Sequence, residues 1–92
     1  MERMYHHVLE SQRALVLANP GTQEERIYLM KEVITSSSGA WFRTDVTLPR
    51  GTLTQVIFRL KYGTENKILM VKFFGKVVRS EHGGFEVAFE YP

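Results

Sequence analysis

From Gly51 onward the chain alternates with a period of two. Val56, Phe58 and Leu60 share one parity while Gln55, Arg59 and Lys61 share the other, which predicts a half-buried strand. A second alternation runs from Ile68 to Arg79, with Leu69, Val71, Phe73, Gly75 and Val77 on one face and Lys72, Phe74 and Lys76 on the opposite one. Between them, Tyr62 to Lys67 supplies the Gly and Asn that a hairpin connection uses. In the last stretch Phe85, Val87, Phe89 and Tyr91 alternate with Glu86, Ala88 and Glu90, and His82-Gly83-Gly84 supplies the preceding turn. Three consecutive antiparallel strands follow.

The first half is patterned less sharply. Arg13 to Ala18 is a short apolar strand stopped by Asn19-Pro20-Gly21, and Ile27 to Thr35 is a second strand after a polar loop. Ser36-Ser37-Ser38-Gly39 breaks the pattern, and Ala40 to Val46 is a third strand that ends at Leu48-Pro49-Arg50-Gly51. No window sustains a helical period. Six short strands with turns between them predict an all-β fold, a small six-stranded antiparallel barrel in which closure removes exposed edges. Residues 1–10 show neither pattern and are expected to be a flexible N-terminal arm, leaving 11–92 as a single domain.

Composition narrows the chemistry. A chain of 92 residues with 43% apolar and 24% charged side chains is one small globular domain, too short for a two-lobed enzyme. It has no cysteine, which excludes disulfides, thiolate metal sites and a cysteine nucleophile. The longest apolar run near the N-terminus, Ala14 to Ala18, is far short of the ~20 residues that span a bilayer, so a cytoplasmic protein without a membrane span is expected.

The net charge of +2 conceals an uneven distribution. Residues 41–80 hold eight basic side chains against Asp45 and Glu65, and residues 81–92 add only Glu81, Glu86 and Glu90. A concentrated basic stretch is either a solvated outer face or a surface for an anionic ligand or partner.

The order Ile34-Thr35-Ser36-Ser37-Ser38-Gly39 followed by a strand, then Leu48-Pro49-Arg50-Gly51, then Gly75-Lys76-Val77-Val78-Arg79 leading into Gly83-Gly84-Phe85-Glu86-Val87-Ala88-Phe89, resembles the PilZ domain family over essentially the whole chain. That resemblance implies a six-stranded barrel acting as a non-enzymatic bacterial signalling module. Such a module binds cyclic di-GMP and regulates a protein partner; no cofactor or metal is implied.

Carried over residue by residue, the resemblance implies that Arg3 and His7 close over the nucleotide from the arm, with Ser36 and Gly39 in the floor of the site. Trp41 and Arg43, on the parity opposite Ala40 and Phe42, are expected to point outward beside the serine loop and complete it, Trp41 stacking on a guanine or anchoring a partner. Two positions depart from the family pattern. His7 stands where the family has a second Arg, exchanging a rigid fork of charged donors for one donor and one acceptor. Ile34 stands where a carboxylate or amide would meet the guanine edge. Hydrogen bonds to charged groups contribute ~1.5 to 3 kcal/mol each, so the two departures predict nucleotide binding weaker by roughly two to four decades.

Two other readings stand beside this one. Ile34, Trp41 and Phe74 would make an apolar docking surface for a nucleotide-independent adaptor. Lys72-Phe73-Phe74-Gly75-Lys76, beside Arg59 and Lys61, interleaves aromatic and basic groups as single-stranded nucleic-acid platforms do. The adjacent His6 and His7 lack further metal ligands, and Ser36 to Ser38 have no neighbouring base in sequence to activate them.

Overall fold

The computed structural model describes residues 13–62, 64 and 67–90. All regular structure in it is strand: β1 (Ala14–Ala18), β2 (Arg26–Met30), β3 (Glu32–Thr35), β4 (Gly39–Arg43), β5 (Leu53–Tyr62), β6 (Lys67–Glu81) and β7 (Gly84–Phe89). They form one antiparallel sheet in the order β2-β1-β5-β6-β7-β4-β3. Residues 1–10, expected to be an arm, lie outside the described residues.

The all-β class agrees with the sequence pattern, but the strand count is seven rather than six. The strand expected over Ile27–Thr35 is two. Met30 points inward, Lys31 and Glu32 both face solvent, and Val33 is inward again. Two outward residues in succession break the alternation and bend the chain, so β2 pairs with β1 while β3 pairs with β4. These are the two edge strands of the sheet, and only Lys31 separates them. Two peptide steps span at most about 7 Å, so the sheet curls until its edges meet at this corner.

Inside the curl, Val16, Val56, Phe58, Phe42, Phe85 and Val87 are fully buried, each from the inward parity of its strand. Phe42 and Phe85 pack with ring centroids 5.3 Å apart, and Phe73 stacks on Phe89 at 4.5 Å. The loop between β4 and β5 contributes Leu48 to the core. It then turns tightly, with the Thr52 amide donating to the Pro49 carbonyl at 3.1 Å and Gly51 at φ +95°, a conformation open to glycine.

Candidate functional site

The pairing register assembles a row of outward side chains across four strands. Ile34 on β3 faces Trp41 on β4, Trp41 faces Glu86 on β7, and Glu86 faces Arg79 on β6. The last member reaches the row through a β-bulge: the register between β6 and β7 shifts between Val77 and Arg79, and Lys76, Val78 and Arg79 are all exposed. Trp41 is half-buried and lies over Gly84, where a Cβ would run into the indole ring and the Phe42 carbonyl. The Arg79 guanidinium sits 5.1 Å from the centre of the same ring, a cation–π geometry.

Two cavities flank the ridge formed by Ile34 and Trp41. The larger, of ≈ 430 Å³, is completed by Glu32, Arg43, His82 and Gly83. The smaller, of ≈ 180 Å³, includes Ser36, Gly39, Arg79 and Glu86. Four of the six residues singled out from the sequence line these two cavities: Ser36 and Gly39 the smaller, Arg43 the larger and Trp41 both. Arg3 and His7 lie outside the described residues.

Each member is held by local chemistry. Ser36 to Ser38 connect β3 to β4 in a tight hairpin, in which the Ser36 amide donates to the Gly39 carbonyl at 2.9 Å. The Ser36 and Ser38 hydroxyls lie 3.2 Å apart, and the Ser38 amide donates to Ser36 Oγ at 3.3 Å. Gly39 is buried, and a Cβ there would collide with the Val87 carbonyl of β7. Its value to the site is that it lets β4 lie close on β7 and so sets the depth of the groove beside Trp41.

The electrostatics of the face are balanced. Arg79 Nε lies 3.2 Å from Glu81 and 3.3 Å from Glu86, and Arg43 lies 3.9 Å from Glu32. All of these side chains are substantially exposed, so each pair contributes little to stability and exchanges readily for another anion.

Arg79, Glu86, Glu32 and His82 were not singled out as site residues from sequence. The signal that finds them is register, because a residue distant along the chain joins the site only once it is known which residue it faces.

Phe74 points outward, as its parity predicts, and is 60% exposed; the bulge lies beyond it at Val78. It faces Gln55 across the sheet, while Phe73 stacks inside on Phe89, so the Lys72–Lys76 segment presents one aromatic to solvent rather than a platform. No helix among the described residues is long and apolar enough to cross a membrane. No family model, no curated protein and no solved structure matches the chain.

Proposed function

We propose that the protein is a non-enzymatic signalling module of the PilZ type whose ligand face is the groove around Trp41, and that its ligand is cyclic di-GMP. One observation supports this most directly. Ser36 and Gly39, the two residues that keep the family's spacing, share a cavity with an indole and a guanidinium. An indole offers a stacking surface to a purine, and Arg43 and Arg79 offer forked donors to phosphate or to guanine O6 and N7. In this reading Arg3 and His7 bring further donors from the N-terminal segment, and the ligand's phosphates replace Glu86 and Glu81 as partners of Arg79.

Calorimetric titration of the full chain with cyclic di-GMP at physiological salt tests the reading. Measurable heat is expected, with affinity falling roughly tenfold for Arg3→Ala and for Arg79→Ala. The paired change Ile34→Asp with His7→Arg is expected to tighten binding by a decade or more. Absence of heat at high micromolar nucleotide, in both the native chain and the paired variant, defeats the ligand assignment.

A nucleotide-independent adaptor is the second reading. It draws on the neutralised state of the face, where both arginines already have carboxylate partners and Ile34 is 46% exposed beside Trp41. Loss of partner binding on Ile34→Ser without any nucleotide response would favour it.

A further inference from the structure

The β5–β6 hairpin outruns its neighbours. Among the described residues, β1 covers β5 as far as Phe58, and β7 covers β6 from Gly75, with the Glu90 amide donating to the Phe74 carbonyl just beyond it. The four pairs from Arg59↔Met70 to Tyr62↔Lys67 therefore form a two-stranded ribbon beyond β1 and β7, about 13 Å long at ~3.3 Å per residue.

Its β6 side presents Ile68, Leu69 and Met70 in succession, 46%, 48% and 51% exposed. Successive strand residues point to opposite faces, so the ribbon carries exposed aliphatic side chains on both, with Arg59 standing opposite Met70. A protein docking onto a sheet edge or face covers one side, whereas a lipid surface surrounds an inserted ribbon. Lys67, Arg59 and Lys72 are exposed around these aliphatics. β1, β2, β5 and β6 as far as Ser80 contain no Asp or Glu, and Glu65 is the one acid between Asp45 and Glu81. The same character continues below the ribbon, where Leu15, Leu29, Ile57 and Met70 line a groove of ≈ 220 Å³ beside Arg13 and Arg59.

We propose that the β6 side of the β5–β6 ribbon, Ile68 to Met70 with Arg59, Lys67 and Lys72 around them, is a membrane-contact element that inserts shallowly into an anionic lipid surface, its aliphatic side chains entering the headgroup boundary and its cations meeting lipid phosphates. The reach of the ribbon suits an interfacial depth of roughly 5 to 10 Å. At that depth the strand edges stay among hydrated headgroups rather than in hydrocarbon, where open edges are not tolerated. Each Lys or Arg near an anionic surface is expected to raise partition about fivefold, so binding should demand acidic lipid and fade with salt.

Sedimentation of the full chain, without nucleotide, with phosphatidylcholine vesicles and with vesicles that also contain phosphatidylglycerol tests the proposal independently of the ligand face. Binding is expected on the acidic vesicles at low salt and little on the neutral ones. The combined change Ile68→Ser, Leu69→Ser and Met70→Ser is expected to lower partition roughly tenfold or more, and Lys67→Glu with Lys72→Glu by at least a similar factor.

A tryptophan introduced by Leu69→Trp into a Trp41→Phe chain should shift its emission to the blue on vesicles and be quenched by brominated lipid. Three results overturn the proposal: a chain that stays in the supernatant with acidic vesicles at low salt, partition unchanged by the triple serine variant, or an unquenched tryptophan at position 69. The first of these would leave the hairpin to a protein partner.

Discussion

Thr35 and Thr54 are 2% and 1% exposed, and neither hydroxyl has a hydrogen-bond partner among the described residues. A buried, unpaired hydroxyl loses its hydration without compensation, at a cost of about 1 to 3 kcal/mol. Valine keeps the branched shape without the oxygen. Thr54→Val is therefore expected to raise stability by about 1 kcal/mol, seen as a higher denaturant midpoint at an unchanged slope. The burial of Thr54 was readable, since it shares the parity of Val56 and Phe58. Its missing partner was not, because that depends on what the curled sheet places opposite. The same limit separates Trp41 from Arg79. Alternation alone sets Trp41 on the outer face, but bringing Arg79 to its ring requires two strand registers and one bulge.

Among the elements, the closing hairpin of β6 and β7 shows how two adjacent glycines serve fold and site. Gly83 takes the turn at φ +95°, and Gly84 immediately after it leaves room for the indole of Trp41. Gly84→Ala is expected to cost about 1 to 3 kcal/mol and to push Trp41 off its seat. Loss of thermal stability together with a red shift in the emission of this single tryptophan would report both effects. The two glycines were legible as a turn, and the last three strands were legible to within about two residues, because each alternates over most of its length; the bulge at Val78 and the exposed start of β6 were not. The Ile27–Thr35 region was not: its residues have strand character throughout, and the break at Lys31 changes the parity of burial without any Gly or Pro to mark it.

For the molecule as a whole, that break decides the architecture. Lys31→Ala changes an exposed side chain and is expected to alter stability by no more than about 0.5 kcal/mol. Deleting Lys31 instead restores uninterrupted alternation from Tyr28 to Thr35 and favours a single straight strand, which cannot follow both edges of the sheet. A loss of about 3 kcal/mol or more is expected for the deletion, and equilibrium unfolding of the two variants side by side separates the backbone effect from the side-chain one.

The corner also has a consequence in time. β5, β6 and β7 follow one another along the chain, so their hairpins need only short loops to close. Leu15 must find Ile57 and Trp41 must find Glu86 across nearly half of the sequence, pairings of the kind that slow folding to milliseconds or longer. Loop length and contact order predict that the meander forms first as a template, that β1 and β4 add to its two flanks, and that the corner at Lys31 brings the edges side by side last. Until that final step, a newly made chain carries two open strand edges, and its exposure to aggregation is set by how quickly one residue can bring them together.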